Sequence, residues 1–491
     1  MDRRSFVRRS LATAVAVALP TLPFRSSWAD APAATRLDGS SGPLDPSDLE
    51  QLRASLRGPL LLPGDAGYDT ARRVRNLSID RHPALVIQPT GVSDVRTAVD
   101  FARRRNLLLA VKCGGHSISG KSTCDGGLQL DLSQLRGVRV DVASRVAYVA
   151  GGCLLGELDH EAMGLGLVTT AGTVSHTGVG GLTLGAGFGR LARRFGLALD
   201  NVRAVDIVGA DGQLRHASRD ENPDLYWAVR GGGGNFGVVT SFEFNLHPMQ
   251  RQVVGGGLVF PIARAAELLQ AYADISHAAP DDLYLDAVLA TPRGKPGVFV
   301  LNVCYSGPAD RADAVLAPLR KLGTPLKDTI SAMDYVALQR SSDTTDPRVE
   351  GRKVKSGFVD ALPGDLLRAM VAGYQPHESR GTTVFLQHAG GAIGRVAQSA
   401  TAFPHRRAVN NLMANVSWPF EEDGRPHTDY LAAYWQSLAP FTDGYYTNEV
   451  ADEPQATIDA NYQGNLARLR EVKKRYDPGN LFRLNANVLP A

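Results

Sequence analysis

Lys112-Cys113-Gly114-Gly115-His116-Ser117-Ile118-Ser119-Gly120 follows directly on the apolar run Leu107 to Val111, which reads as a buried strand. Paired glycines after a strand leave backbone N–H groups unobstructed and let an anion come close to the chain. The hydroxyls of Ser117 and Ser119 add donors, and Gly120 closes the loop. Such a loop suits a pyrophosphate. His116 is out of place in a pure phosphate loop. Held by a rigid turn, its ring is placed to act as a nucleophile towards a bound cofactor. A glycine turn with a satisfied histidine is the commoner meaning of the same residues, so the neighbouring sequence has to decide.

A second glycine region lies downstream. Of 51 glycines, thirteen fall between Gly151 and Gly196, in a chain whose glycine content is about a tenth against a usual 7% or so. Ala171-Gly172-Thr173-Val174-Ser175-His176-Thr177-Gly178-Val179-Gly180-Gly181 runs into Leu182-Thr183-Leu184-Gly185-Ala186-Gly187-Phe188-Gly189. No stretch between Leu155 and Ala192 reads as a regular strand. Interleaved Leu, Val and Phe exclude a flexible linker, and the segment reads as backbone wrapped around a large flat ligand. The third region is Arg230-Gly231-Gly232-Gly233-Gly234-Asn235-Phe236-Gly237. Gly232, Gly234 and Gly237 match G-x-G-x-x-G, but a helix-like Leu225–Val229 precedes and a strand opening at Val238 follows. A dinucleotide-binding Rossmann turn needs the reverse order, so NAD-type binding is rejected.

Together these regions resemble the FAD-binding domain of the vanillyl-alcohol oxidase and p-cresol methylhydroxylase superfamily, in its berberine-bridge-enzyme-like, monocovalent bacterial branch. The likeness covers nearly all the chain after residue 29. It rests on Asn76 to Val86, Gly114-Gly115-His116-Ser117, Val205 to Gly212, Arg230 to Phe244, and the ending Asp477-Pro478-Gly479-Asn480-Leu481-Phe482-Arg483-Leu484-Asn485-Ala486-Asn487.

The resemblance implies an α+β fold: a PCMH-type FAD-binding domain of two subdomains, and a substrate domain whose antiparallel sheet is covered by helices. It implies FAD contacts at Gly114, Gly115, Ser117, Ser119, Gly120, Gly172, Thr177, Gly178, Gly180, Gly181, Gly185, Gly187, Val238, Asn485 and Asn487. His116 matches the histidine that bonds the flavin 8α carbon. Many relatives add a bond from a cysteine two residues after the glycine matching Gly172. That position is Val174, so a single histidyl link is expected. On the substrate side, some relatives carry a glutamate base on a late sheet strand. The matching run, Val409 to Trp418, offers Asn410, Asn411 and Asn415 and no carboxylate. Either the base lies elsewhere or none is needed. Tyr462 resembles an active-site tyrosine and reads equally well as a core tyrosine; His388 is a weaker catalytic candidate.

The function implied is oxidation of a small-molecule alcohol or amine, with hydride passing to the flavin and O2 as the reoxidant. A dehydrogenase of the same fold with another acceptor, and a flavin-holding protein without turnover, are the alternatives.

Working outward, Leu85-Val86-Ile87 and Leu128 to Leu132 read as strands, and Ser93 as the cap of a helix with Val95, Ala98, Val99 and Ala102 on one face. Val138–Val142 with Val146–Val149, and Val202–Val208 with Gln213–His216, read as hairpins, the latter around Asp211-Gly212. After Arg251, helices are expected at Ile262–Ser276 and Ala309–Leu322, strands at Val298–Cys304, Thr382–Gln387 and Val409–Trp418, and one last helix from Ile458 to Tyr476. The expected division is 1–29 a signal peptide, 30–58 linker and leading helix, 59–249 the FAD domain, 250–445 the substrate domain, and 446–491 a segment returning to the FAD domain.

The 491 residues exceed one ordinary core. At 44% hydrophobic and 21% charged residues, the composition excludes a disordered or fibrous chain. The formal charge is +3, but the first 29 residues carry five arginines against Asp2, and the rest holds 48 basic and 49 acidic residues. That leaves no electrostatic footprint for nucleic acid. Arg3-Arg4-Ser5-Phe6-Val7, the apolar run Leu11 to Phe24 and Ser27-Trp28-Ala29 read as a twin-arginine signal cleaved after Ala29. The run is 14 residues against the about 20 needed to span a bilayer. The expected partner during export is the twin-arginine translocase, the expected location periplasmic or secreted, and no membrane insertion is expected. Cys113, Cys124, Cys153 and Cys304 match no zinc spacing and read as buried small hydrophobes, and the scattered histidines give no metal site.

Overall fold

Alternation at period two builds the largest element of the fold. In the strand Gly381–His388, Val384 and Leu386 are fully buried against helices, while Thr383, Phe385 and Gln387 point the other way. The neighbouring strand Asn410–Pro419 repeats this, with Leu412, Ala414 and Val416 on the helix side and Met413 and Asn415 opposite. Strands run antiparallel in the order Lys327–Asp328, Gln252–Pro261, Val298–Tyr305, Leu283–Thr291, Gly381–His388, Asn410–Pro419 and Glu350–Val359, and Ser331–Asp334 pairs with Gln252–Pro261. Helices Ala265–Ala278, Ala312–Arg320, Gly364–Ala372 and Arg425–Leu438 cover one face through Leu268, Leu316, Met370 and Leu431. Each such buried side chain contributes about 1.5–3 kcal/mol of transfer free energy. The computed structural model describes residues 32–343, 350–450 and 453–491. The signal peptide expected at residues 1–29 lies outside the described residues.

Two smaller sheets carry the glycine loops. In the first, Leu60–Leu61 is antiparallel to Leu85–Ile87, and Leu85–Ile87, Leu128–Asp131 and Leu109–Lys112 run parallel. Near-continuous apolar strands are what a sheet covered on both faces requires. The helix Val92–Arg104 packs there with Val95, Ala98, Val99 and Ala102 buried. The second sheet is antiparallel in the order Leu214–Ser218, Val202–Val208, Val238–Asn245, Val146–Ala150 and Val138–Asp141. Both expected hairpins are present.

Four local expectations need correction. The helix after Leu85–Ile87 starts at Val92 with Gly91 at its cap, and Ser93 lies inside it. Asp94 organises that end instead, its carboxylate accepting N–H bonds from Arg57, Gly58 and Thr90. Residues 30–58 hold the helix Pro46–Ser55, capped by Asp45, and also a short strand pair, Ala33–Thr35 with Ser41–Pro43. The glycine region contains regular structure: helices Leu155–Met163 and Val179–Gly185 and the two-residue strand Leu167–Val168. The last helix is broken. Gln455–Asn461 ends at Tyr462, Gln463 takes φ 48°, and a new helix runs Leu466–Tyr476. Tyr462, at the break, is buried.

Candidate active site

The end of Leu109–Lys112 launches the loop that carries His116, and this loop meets the second glycine region backbone to backbone. A Cβ on Gly114 would overlap the backbone nitrogen of Gly178, and one on Gly178 would overlap that of Gly114. Only glycine permits this approach. Beyond the contact lies a cavity of about 430 Å³, walled on one side by glycine backbone and on the other by the face of the large sheet that its helices leave open. At Gly181 nothing stands within 4 Å of where a Cβ would be, and at Gly233 only Asn235 Nδ2, 3.9 Å away. The wall is bare peptide, suited to a flat ligand and to phosphate oxygens. Ser122 Oγ at the wall and Arg75 Nε beside it are buried with no hydrogen-bond partner among the described residues, and such donors call for an acceptor. The cradle and its donors fit the FAD that the sequence implies.

His116 sits on the cavity wall. Arg75 donates from Nη1 to its Nε2 at 2.7 Å, and His176 Nδ1 lies 3.1 Å from the same atom. A guanidinium only donates, so Nε2 accepts and the ring is neutral with its proton on Nδ1. Burial, then the charges of Arg75, His176 and Arg352, hold its pKa well below the ordinary histidine range. A neutral imidazole is the nucleophilic form. Cys113, also on the wall, is kept as a thiol: burial pushes it up to about 11, and its Sγ points to the Cys153 carbonyl. The four cysteines are free, three of them buried and Cys113 partly so.

The opposite wall comes from the large sheet, with Thr383, Phe385, Gln387, Met413, Asn415 and Arg352 facing the cavity. Asn415 Oδ1 is buried with no partner among the described residues. Asn411 donates to Gln387 Oε1 at 3.3 Å, whereas Asn410 turns to the helix side and donates to the Tyr272 hydroxyl. Asp286, directly across from Gln387 on the same face of the sheet, is buried, and burial pushes its carboxyl up to about 7. Tyr462 reaches the wall, buried, its hydroxyl donating to the Ala486 carbonyl at 3.4 Å.

Of the residues singled out by sequence, Gly114, Gly115, His116, Ser117, Gly172, Thr177, Gly178, Gly180, Gly181, Val238, Asn485 and Tyr462 line this cavity. Six are placed elsewhere. His388 stands on the helix side of the sheet: its Nδ1 accepts from the Leu285 N–H and its Nε2 donates to the Ser276 carbonyl. It is a core histidine, and burial keeps it neutral. Ser119 is buried behind the loop against Ser117. Gly120 turns there at φ +73° against Ile79. Gly185 makes room for Asn448, and Gly187, at φ +84°, for Ala198. The Asn487 carbonyl accepts from Gln455, and its side chain is off the wall.

Arg75, His176, Gln387, Arg352, Asn448 and Glu449 belong to the site or its border and carried no local motif.

Among the described residues no group of His, Cys, Asp and Glu is arranged to hold a metal ion, and no helix is long and apolar enough to cross a membrane. The family description "FAD binding domain" matches residues 83–218, and "Berberine and berberine like" matches 445–489. An FAD-linked oxidoreductase of Dictyostelium discoideum is 33% identical over 89% of this chain and 95% of its own. The (R)-6-hydroxynicotine oxidase of Paenarthrobacter nicotinovorans is 30% identical over 89% of this chain and 97% of its own. The solved structure of 6-hydroxy-D-nicotine oxidase from Arthrobacter nicotinovorans matches with a TM-score of 0.82 at 27% identity, covering 89% of this chain and 99% of that one. With the glycine cradle, the sheet-walled cavity and these relatives in agreement, the chain belongs to the berberine-bridge-like FAD-linked oxidoreductases of the p-cresol methylhydroxylase superfamily.

Proposed function

We propose that this enzyme oxidises a small-molecule alcohol or amine, using FAD bonded once, through His116, and returning the electrons to O2. The observation that carries the reading is the neutral His116 ring on the wall of a glycine cradle. Bound FAD supplies the two-electron chemistry. The chain supplies position. Gly114, Gly178, Gly180 and Gly181 present bare amides to the cofactor, and Ser117 adds a hydroxyl. Arg75 orients His116 and its charge keeps the ring neutral. Val174, on the wall where relatives place a second anchor, has no nucleophile. Gln387, Asn415, Met413 and Phe385 form a half-polar, half-apolar floor that holds an uncharged substrate against the cofactor. The substrate of one relative is named as 6-hydroxynicotine, which supports an amine as one option.

Acid precipitation of the purified protein tests the attachment: the pellet is expected to stay yellow and fluorescent, and His116→Ala to release its FAD. Anaerobic mixing with alcohols and amines is expected to bleach the flavin, and air to restore it with release of hydrogen peroxide. Flavin that stays reduced for many minutes in air assigns a different acceptor. Export through the twin-arginine route is part of the same reading, supported by Arg3-Arg4 and the short apolar run. The exported form is expected to begin at Asp30 by mass spectrometry.

A further inference from the structure

Glu449 is the one acidic side chain on the cavity wall among the described residues. Its backbone N–H bonds the Tyr446 carbonyl, but no hydrogen bond or ion pair among the described residues engages its carboxylate. Three cations face it from three different elements: Arg75 from the segment before Asn76, Lys121 from the end of the His116 loop, and Arg352 from the large sheet. None closes into an ion pair with it. Lys121 instead spends its Nζ on the carbonyls of Thr447 and Val450, at 2.7 and 2.8 Å, which fixes the turn that presents Glu449 to the cavity. A carboxylate held at a cavity wall without a partner is poised for one that arrives with the substrate.

The other groups on the wall are poorer proton acceptors. Burial raises the hydroxyls of Tyr446 and Tyr462 above the ordinary tyrosine range, so both stay protonated. Asn415 cannot take a proton, and Asp286, one strand further along the same face of the sheet, does not line the cavity.

We propose that Glu449 is the general base, accepting the proton that a substrate hydroxyl or amine gives up as hydride leaves the adjoining carbon. The inference rests on the reading above. In the step the C–H bond breaks with its electron pair, which reduces the bound flavin. The O–H or N–H bond leaves its pair behind to complete C=O or C=N, and the proton goes to a Glu449 carboxylate oxygen. Substrate loses two electrons and flavin gains them. Burial outweighs Arg75, Lys121 and Arg352 and lifts the Glu449 carboxyl above its ordinary value, which brings its basicity nearer to the operating pH.

The test compares the holoprotein with its Glu449→Gln and Glu449→Asp variants in two arms. Sodium sulfite adds to oxidised flavin at the position that accepts hydride, and a nearby carboxylate opposes this anion. Sulfite is expected to bind Glu449→Gln about tenfold more tightly than wild type above the titration of Glu449 and equally below it, with Glu449→Asp close to wild type. Sulfite affinity that is unchanged by Glu449→Gln at every pH overturns the proposal. In the second arm, benzyl alcohol, glucose and N-methylbenzylamine are mixed anaerobically with each protein. A probe that bleaches wild-type flavin is expected to do so roughly 10²- to 10⁴-fold more slowly in Glu449→Gln, with the acid limb of the rate profile gone and Glu449→Asp partly restoring both. An undiminished rate in Glu449→Gln overturns the proposal. If sulfite discriminates the proteins and no alcohol or amine bleaches any of them, the substrate reading fails while the placement of Glu449 stands.

Discussion

Arg75 Nη1 and His116 Nε2 meet at 2.7 Å, in a corner that also holds His176 and Arg352. Because the guanidinium cannot accept, this bond selects the neutral ring and leaves Nδ1 as the protonated nitrogen. Arg75→Met removes the second-largest cause of the depressed His116 pKa, so that pKa is expected to rise. Burial, the largest cause, stays, and the value remains below that of a free histidine. The readouts are an NMR titration of the FAD-free protein and the rate at which acid-stable yellow colour appears after FAD is added. Attachment is expected to slow most at acid pH, where the variant's ring begins to protonate.

Val174 lines the cavity near Thr173 and Gly172. Val174→Cys places a thiol on the cavity wall. The expected product has a second covalent link, seen as an additional loss of fluorescence in the acid-denatured yellow band. Fluorescence equal to wild type would mean that the backbone here stands too far from the flavin ring.

Asp159, in the helix Leu155–Met163, is fully buried and accepts from Gln339 Nε2 at 3.1 Å. Burial raises its carboxyl to about 7. In the unfolded chain the same group titrates at about 3.9. As pH rises from about 4, the unfolded chain releases this proton first, so its contribution to stability falls until about pH 7 and then levels off. Asp159→Asn keeps an acceptor for Gln339 and removes the titration. Relative to wild type, the variant is expected to gain stability across that window, reaching roughly a few kcal/mol above it. Urea unfolding at a series of pH values measures this, and parallel pH curves for the two proteins would refute it.

Lys473 and Asp477 form a wholly buried pair at 2.6 Å. Lys473 also donates to the carbonyls of Asn235 and Phe482, and Asp477 accepts from the N–H groups of Leu481 and Phe482. The pair therefore clamps the C-terminal segment to the third glycine region, and Asn235, Phe482 and Asn485 all reach the cavity wall. Lys473→Met leaves a buried charge unpaired and is expected to cost about 3–5 kcal/mol. Holoprotein is expected to unfold with a lower midpoint and to lose protection from hydrogen exchange at residues 232–237 first.

The His116 loop was legible because its meaning is local: a buried strand, two glycines and a histidine lie within ten residues. His388 shows the limit of that legibility. The sequence marks Gly381–His388 as a strand, and alternation says that Gln387 and His388 face opposite ways. Nothing in the strand says which face the helices cover. Leu386 and Val384 go with the helices, and they carry His388 into the core with them. The same holds for Ser119, Gly120, Gly185 and Gly187, where a glycine-rich pattern shows that backbones approach closely but not what they approach. At Gly185 it is Asn448, and at Gly187 it is Ala198.

Family, cofactor class and the place of His116 in a glycine loop follow from the order of the glycine segments along the chain, since each demands a backbone conformation that its own few residues impose. Arg75, His116, His176, Arg352 and Glu449 come from five separate stretches of chain, and no periodicity or spacing links them. Their charges interact only once the loops close on one cavity, because an electrostatic coupling depends on distance through space and on the burial that strips water from it. The neutral His116, and the Glu449 carboxylate without a partner among the described residues, are therefore products of the tertiary structure.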